Sequence, residues 1–266
     1  MSESLTSSPD ENPKFDISIF ISCYNEEEHI VSAITNAIES LEKVGLSWEI
    51  VIIDDVSQDN SIQRILKYKE LHPEQPIVLK VNEINKGLAF NFVEAAFVAK
   101  GKYFRLVFGD NPESKEALQG IFKHIGKTDV IIPYQTSTGR SFARDAISRL
   151  FTGIINFLAG YNIKYYNGSP VFRRYDVLRW HSYATGFGFQ ADTITRMLNQ
   201  GVSYMQVPSW TVEKKHGQST ALNFKNFLSV SHTILAVLVR RVSSWIMKNH
   251  HKKSVEVKLE AKNHQS

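Results

Sequence analysis

The sequence has a single cysteine, Cys23, among 266 residues, and it has no long hydrophobic run. One cysteine excludes a disulfide within the chain, so we expect a reducing compartment. No stretch reaches the roughly 20 apolar residues of a membrane span. Residues 1–14 lack the apolar segment of a secretory signal, and they and the charged tail 250–266 are predicted to be disordered. These absences predict a cytoplasmic protein, either free or peripheral on the cytoplasmic membrane face.

The excess of positive over negative side chains is also small. The chain has 31 Lys and Arg against 27 Asp and Glu, for a formal net charge of +4. A mild basic excess suits an anionic substrate such as a nucleotide or a lipid phosphate, and it also suits an anionic membrane surface. We expect no nucleic-acid partner. Because no linker interrupts residues 15–222, we predict one domain over that range.

Strand and helix patterns alternate through the first half of the chain. The predicted strands are 15–22, 48–53, 76–81, 103–108 and 130–133, with helices at 26–44, 61–71, 88–99 and 113–125 between them. The run at 48–53 is continuously apolar, which is typical of a strand buried on both faces of a parallel sheet. The alternation predicts an α/β fold, a Rossmann-like and mostly parallel sheet with flanking helices.

Polar clusters follow the first, second and fourth predicted strands, where α/β proteins bind their ligands. The Tyr24 ring can stack on a base, and Asp54 or Asp55 can accept hydrogen bonds from a base or a ribose. Asp110 can bind a divalent cation that neutralises a diphosphate. The ordinary interpretations are a helix start with acids such as Glu26 after the first strand, a turn or cap at Asp54-Asp55, and an Asp-Asn-Pro turn at Asp110.

The first strand is not followed by G-x-G-x-x-G, so the common dinucleotide fingerprint is absent. A nucleotidyltransferase would need a glycine-rich, basic loop at the same place, and residues 23–29 do not provide one. These two absences favour a nucleotide site that uses neither the dinucleotide fingerprint nor the glycine-rich loop of a nucleotidyltransferase.

Several motifs, in this order, resemble those of family-two glycosyltransferases with the GT-A fold, over about residues 15–222. The closest resemblance is to the polyprenyl-phosphate branch, typified by dolichol-phosphate mannose synthases. The ordered set is far more specific than any single motif. The matching segments are Tyr24-Asn25-Glu26, Asp54-Asp55-Val56-Ser57, Asn85-Lys86-Gly87-Leu88, Gly109-Asp110-Asn111, Gly188-Phe189-Gln190-Ala191-Asp192, Val207-Pro208 and Lys214-Lys215-His216-Gly217-Gln218-Ser219.

The resemblance implies an inverting enzyme that moves a sugar from a GDP- or UDP-linked donor to a polyprenyl phosphate. It implies Mg²⁺ or Mn²⁺ as cofactor, held by Asp110 with Asn111, and it makes Asp110 and Asp192 the catalytic residues. Asp192 would be the general base for an alcohol acceptor. The implied donor-binding residues are Ser22, Tyr24, Glu26, Asp54, Asp55, Lys86 and Gly109. The implied acceptor and diphosphate residues are Arg140, Arg144, Ser148, Gln190, Lys215 and Ser219.

The chain departs from the family pattern at several positions. Phe108 stands where the first Asp of an Asp-x-Asp motif is usual, and Ser22 stands where a proline is usual. Lys214 and Lys215 replace an arginine, and lysine lacks bidentate geometry for phosphate. Two alternatives therefore stay open: transfer to a saccharide hydroxyl in polysaccharide or glycan synthesis, and a non-catalytic protein that binds nucleotide sugars.

Residues 223–249 are predicted to form a basic amphipathic helix. A basic helix that carries Trp245 can lie in a membrane interface. The same pattern also fits a helix that packs on the protein's own core or in a homodimer. The sequence does not separate these interpretations.

Overall fold

The predicted α/β fold is confirmed by a computed structural model that describes residues 13–111, 113–136, 142–182, 186–210, 224–247 and 254–259. The strands are β1 Phe15–Cys23, β2 Trp48–Asp54, β3 Ile77–Val81, β4 Gly101–Phe108, β5 Val130–Gln135, β6 Val171–Arg173 and β7 Tyr204–Ser209. The helices are α1 Ile30–Val44, α2 Ser61–Leu71, α3 Leu88–Val98, α4 Lys115–Phe122, α5 Phe142–Ala159, α6 Arg174–Trp180, α7 Phe189–Leu198 and α8 Phe224–Ile246, with a short 3₁₀ helix at Gly186–Gly188.

The described strands form one sheet in the order β3-β2-β1-β4-β6-β5-β7. Every pairing is parallel except those of β6, which runs antiparallel to both β4 and β5. Helical crossovers between parallel strands cover both faces of the sheet. This burial explains why β1 and β2 read as unbroken apolar runs.

Two cores lie on opposite faces of the sheet. Isoleucines of β1, β2 and α1 form one core together with α4, and phenylalanines and alanines of α3, β4 and α7 form the other. The alternation of side chains along each strand divides them between the two cores. The sheet is therefore held rigidly, and its strand ends are a fixed platform for the loops that follow them.

Helix α8 lies within the range predicted for the amphipathic helix. One face packs on the protein, with Thr233 and Val237 buried. Another face is apolar and exposed, and it includes Leu235, Val242 and Trp245. Among the described helices, none is long and apolar enough to cross a membrane.

Residues 254–259 lie in the tail that was predicted to be disordered, and these six residues pair with the start of β7. The Tyr204 backbone N–H donates to the Val255 carbonyl at 3.0 Å, and Val257 N–H donates to the Tyr204 carbonyl at 2.8 Å. The segment therefore runs beside β7. The charged composition of this segment did not predict the pairing, because hydrogen bonds between main-chain groups depend little on which side chains the residues carry.

Candidate functional site

The candidate site lies at the carboxyl ends of β1, β2 and β4, where the strand order reverses. The strand β1 pairs with β2 on one side and with β4 on the other. Such a reversal opens a crevice in which α/β proteins bind ligands. The register sets Ser22 beside Phe108 and Cys23 beside Asp54. The structure thus gathers at one edge the predicted residues of all three strand ends: Ser22, Tyr24, Glu26, Asp54, Asp55, Gly109, Asp110 and Asn111.

Gly109 lets the end of β4 approach β1 closely. A Cβ atom at this position would lie 2.3 Å from the Ser22 carbonyl oxygen and 3.1 Å from Glu26 Cγ. A larger residue would therefore push the Asp110 loop away from β1. The contribution of Gly109 to the site is this close approach of the backbone.

The loop after β1 is tied to the loop after β2. The Asn25 backbone N–H donates to Ser57 Oγ at 2.9 Å, and the Glu26 N–H donates to Ser61 Oγ at 2.8 Å. Asn25 has a φ of 56°, in the left-handed region that Asn tolerates better than most residues. The two bonds hold the loop on either side of Tyr24, and Tyr24 is 53% exposed at the rim of the site.

Asp55 is buried and organises the start of α3. Its Oδ1 accepts from Asn82 Nδ2 at 2.8 Å and from the Lys86 N–H at 2.9 Å, and its Oδ2 accepts from the Gly87 N–H at 2.9 Å. Burial alone raises the pKa of Asp55, but these hydrogen bonds outweigh it and lower the pKa below its ordinary value. The carboxylate thus binds the main-chain donors of Lys86 and Gly87, and it holds the loop before α3.

Asp54 lies deeper, with no exposed surface. Its Oδ1 accepts from the Ser57 N–H at 2.9 Å, while its Oδ2 accepts no hydrogen bond from the described residues. Burial and the Asp54 charge together raise the pKa of Cys23 to about 12, so this thiol stays protonated. Asp54 Oδ2 is thus a buried acceptor without a hydrogen-bond donor among the described residues.

Asp110 is partly exposed at the end of β4. Asn111 follows it with a φ of 52°, and its Nδ2 donates to Ser32 Oγ at 3.2 Å, which leaves the amide oxygen as its cation-binding atom. Within the described ranges, no group of three His, Cys, Asp or Glu could hold a metal ion by itself. Magnesium is commonly bound through one or two carboxylates plus substrate phosphates. The residues present fit a cation that arrives with a diphosphate.

A buried ion pair holds the Asp110 loop against the sheet, and it was not predicted from the sequence. Arg105 has no exposed surface, and its Nη2 donates to Glu113 Oε1 at 2.6 Å. Its Nε donates to the Ser169 carbonyl at 3.0 Å. The sequence feature that could have indicated this ion pair is an arginine inside an otherwise apolar strand, because a buried charge needs a partner of opposite charge.

Lys86 is less free than its predicted donor role requires. Its Nζ lies 3.4 Å from Glu94 Oε2 and 5.0 Å from the centre of the Phe90 ring. Glu94 also pairs with Lys80. A phosphate would have to compete with this carboxylate for the Lys86 cation.

Asp192 is buried, and both of its oxygens are occupied. Its Oδ2 accepts from Arg196 Nε at 2.9 Å and from the Ser182 hydroxyl, and its Oδ1 accepts from Arg240. Burial alone raises the pKa of Asp192, but the Arg240 and Arg196 charges and the Ser182 hydrogen bond lower it below its ordinary value. The general-base role of Asp192 stays a prediction: both of its oxygens are occupied in this structure, and a base needs an oxygen that can reach the acceptor proton.

Residues 18–181 match the family described as Glycosyl transferase family 2. The chain belongs to this family. It is 34% identical over 118 residues to the dolichyl-phosphate beta-glucosyltransferase of Saccharomyces cerevisiae, a match that covers 42% of this chain and 35% of that protein. It is 25% identical over 185 residues to the undecaprenyl-phosphate 4-deoxy-4-formamido-L-arabinose transferase of Pectobacterium atrosepticum, covering 68% of this chain and 56% of that protein. The chain therefore spans about a third to just over half of the length of these relatives.

The fold is shared with solved glycosyltransferase structures. The mannosyltransferase PcManGT from Pyrobaculum calidifontis, in complex with GDP-Man and Mn²⁺, has a TM-score of 0.56 at 14% identity, and the likeness covers 94% of this chain and 80% of that chain. At this level of identity the likeness concerns the fold. It confirms the predicted GT-A architecture of this family 2 chain.

The acceptor residues implied by the family pattern are only partly described. Gln190 is buried, and its Oε1 accepts from the Ser169 N–H at 3.0 Å, so it ties α7 to the loop before β6. Ser148 is half-buried on α5. The predictions for Arg140, Lys215 and Ser219, and for the Arg144 side chain, fall outside the described residues.

Proposed function

We propose that this family 2 chain transfers a sugar, with inversion, from a GDP- or UDP-linked donor to a polyprenyl phosphate. The observation that carries the proposal is the state of Asp192. A hydroxyl acceptor needs a general base, and the carboxylate assigned to that role is held by two arginines and a serine. A phosphate acceptor is already an anion and needs no base.

In the proposed reaction, an oxygen of the acceptor phosphate attacks the anomeric carbon from the face opposite the leaving group. The new bond joins that oxygen to the anomeric carbon. The bond from the anomeric carbon to the diphosphate breaks, and the nucleoside diphosphate leaves with the bonding electrons. No proton needs to be moved, so the protein must supply position and electrostatic stabilisation.

The residues at the carboxyl edge match these needs on the donor side. Tyr24 is open to stack on the base, and Asp54 Oδ2 is an acceptor that a base or ribose donor could satisfy. Mg²⁺ or Mn²⁺, held by Asp110 and Asn111 together with the diphosphate, would neutralise the charge that develops on the leaving group. The Arg105–Glu113 pair keeps the Asp110 loop in place for that task.

The test compares two acceptors that differ only in the phosphate. The protein is incubated with UDP-glucose or GDP-mannose, with Mn²⁺, and with farnesyl phosphate or farnesol, and the products are identified by mass spectrometry. We expect sugar on farnesyl phosphate and none on farnesol. Transfer to an oligosaccharide but not to farnesyl phosphate would establish the saccharide alternative instead. Binding of the donor without turnover of any acceptor would establish a non-catalytic binding protein.

We further propose that the exposed apolar side chains of α5 and α8 contact the membrane that holds the acceptor. On α5, Phe157 is 82% exposed, and on α8, Trp245 is 81% exposed. The two helices pack together, because Arg241 Nη1 donates to the carbonyls of Phe157 and Leu158 at 2.8 and 2.6 Å. Arg241 therefore caps the carboxyl end of α5.

Vesicle co-sedimentation tests this surface. Trp245→Ser should reduce binding to vesicles of mixed neutral and anionic lipids. Leu71→Ser is the matched control, since Leu71 is 66% exposed on α2, away from this surface. Equal binding by both variants would remove the membrane proposal. A change in sedimentation velocity with Trp245→Ser alone would indicate that the surface serves a homodimer.

A further inference from the structure

A cavity of about 350 Å³ lies between α6, α7 and α8. We call it the arginine pocket, after Arg179, Arg196 and Arg240, which line it together with Trp180 and Ser243. None of the predicted donor or acceptor residues lines it. Its three guanidinium groups come from three different helices, so the tertiary structure alone brings them together.

Two of the arginines are held in place from behind by Asp192. Arg196 Nε donates to Asp192 Oδ2 at 2.9 Å, and Arg240 Nη1 donates to Oδ1. Arg240 Nη2 also donates to Thr195 Oγ1 at 2.9 Å, and its Nε has no partner among the described residues. A guanidinium carries five N–H donors, so each of these arginines keeps donors for a ligand after it has bound Asp192.

The third arginine has a different support. The Arg179 guanidinium carbon lies 4.9 Å from the centre of the Trp180 ring, over which the cation is stacked. Arg179 is exposed, and it forms no ion pair in the described structure. The pocket thus brings three arginines together, and Asp192 pairs with two of them, so positive charge is in excess among the described residues around it.

We propose that the arginine pocket binds a phosphate group, at a place separate from the donor site. Arginine forks match the oxygens of phosphate, and a phosphate monoester carries about −1.5 to −2 charge at pH 7, which balances the excess. The Ser243 side chain, which lines the pocket from α8, adds a hydroxyl to the guanidinium donors. The proposal does not depend on the sugar transfer proposed above.

The position of the pocket separates it from the donor edge. Arg196 lies in the second half of α7, and that half leads into the first residues of β7. Because β7 is parallel to β5, its first residues lie at the amino end of the sheet, whereas the donor residues lie at the carboxyl ends. A phosphate in the pocket is therefore not the group that reacts with the sugar.

Two sources can supply the phosphate: a phospholipid headgroup or a free phosphorylated compound. Met247 lines the pocket, and it is 67% exposed at the apolar end of α8. This arrangement favours a headgroup whose chains run along α8. The experiment must therefore include a lipid and a free anion.

The test uses the full chain and two probes, inorganic phosphate followed by calorimetry and phosphatidic acid in phosphatidylcholine vesicles followed by co-sedimentation. Arg179→Gln removes an exposed charge from the pocket, and Ser243→Leu fills the pocket without a change in charge. Arg64→Gln on α2 is the matched control for the loss of an exposed arginine. We expect both pocket variants to weaken binding by about tenfold and the control to leave it unchanged.

Loss of phosphate binding in both pocket variants would support a site for free phosphate compounds. Loss confined to the phosphatidic acid vesicles would support a headgroup site. Equal losses in Arg64→Gln and Arg179→Gln would overturn the proposal, since net charge would then explain the binding. Binding that Ser243→Leu leaves intact, or no binding of either probe, would overturn it as well.

Discussion

At the scale of single residues, the buried charges of this chain act mainly as supports. Asp55 holds the loop before α3, Glu113 holds Arg105 beneath the Asp110 loop, and Asp192 holds two arginines. Removing one member of a buried pair leaves the other charge uncompensated, and that loss costs more than the pair contributes in net stability. Substitutions at these positions should therefore appear first in stability.

Glu113→Gln removes the charge that balances Arg105. We expect the free energy of unfolding, measured by urea denaturation, to fall by about 3–5 kcal/mol, since the Arg105 guanidinium would be buried without a counter-charge. Glu42→Gln, at an exposed position on α1, is the control and should leave it nearly unchanged. Similar values for both variants would show that the pair does not support the loop.

Asp192→Asn separates a support from a catalytic base. If Asp192 is a support, the substitution should lower the free energy of unfolding by about 3 kcal/mol, because Arg196 and Arg240 would lose their shared anion. Transfer to a phosphate acceptor, at a temperature where the variant is folded, should remain. A variant with wild-type stability and no turnover would instead restore the general-base prediction.

Asp55 makes a prediction about pH. Its pKa in the folded chain lies below the ordinary value of 3.8, so ionised Asp55 stabilises the fold at pH values above 3.8. That contribution is lost as the pH falls through the folded pKa. The stability difference between wild type and Asp55→Asn should thus be constant from pH 7 to pH 5 and shrink below pH 4, as measured by urea denaturation. A difference that does not change with pH would contradict this account.

At the scale of elements, α8 is joined to the domain through a contact that only small residues permit. A Cβ atom on Gly188 would lie 1.9 Å from Thr233 Oγ1, and one on Gly186 would lie 2.8 Å from Ser229 Oγ. The 3₁₀ helix that carries these glycines leads directly into α7. Gly186 and Gly188 therefore allow α8 to pack closely on the 3₁₀ helix, and this packing also positions the α8 side of the arginine pocket.

Gly188→Ala should displace α8. Overpacking of this kind typically costs about 1–3 kcal/mol, and we expect faster amide hydrogen exchange across α8 than in β1. Gly120→Ala is the control, because a Cβ atom there meets no atom within 4 Å. Unchanged exchange in α8 would mean that the helix is held by other contacts.

At the scale of the whole molecule, one sheet connects every part of the proposed site. The predicted donor residues come from three strand ends of that sheet, and α7 and α8 cover one of its faces. A ligand that binds the folded chain and not the unfolded chain raises the midpoint of the entire unfolding transition. Thermal unfolding is thus a direct measure of donor binding.

A thermal-shift panel of GDP, UDP, CDP and dTDP, each with and without Mn²⁺, should identify the base. We expect GDP or UDP to raise the midpoint of thermal unfolding most. The increase should depend mainly on Mn²⁺, because Asp110 supplies a single carboxylate and the diphosphate must supply further ligands to the cation. Asp110→Asn should remove the effect of Mn²⁺. A shift that does not depend on Mn²⁺ would show that the site binds no cation, since Phe108 stands where a first carboxylate is usual, and no shift with any nucleotide would contradict the donor site.

Much of the fold and the donor edge could be predicted from local pattern. The apolar runs of β1 and β2, the helical spacing of α1 and the polar residues after β1, β2 and β4 are contiguous in sequence, and strand ends in parallel sheets share an edge. The ordered motifs were specific enough to indicate the family. These features depend on neighbours along the chain, which a sequence displays directly.

The sequence by itself therefore determined the first five strands, the helices between them, the family and the edge at which the predicted donor residues lie. The tertiary structure alone decided the roles of charged side chains whose partners are distant: Glu113 beneath Asp110, Asp55 at the start of α3, and Arg240 on Asp192, 48 positions away along the chain. It also decided that α8 packs with one apolar face and exposes another. The physical reason is that burial and ion pairing depend on which groups meet in space, and long-range contacts leave little trace in local periodicity.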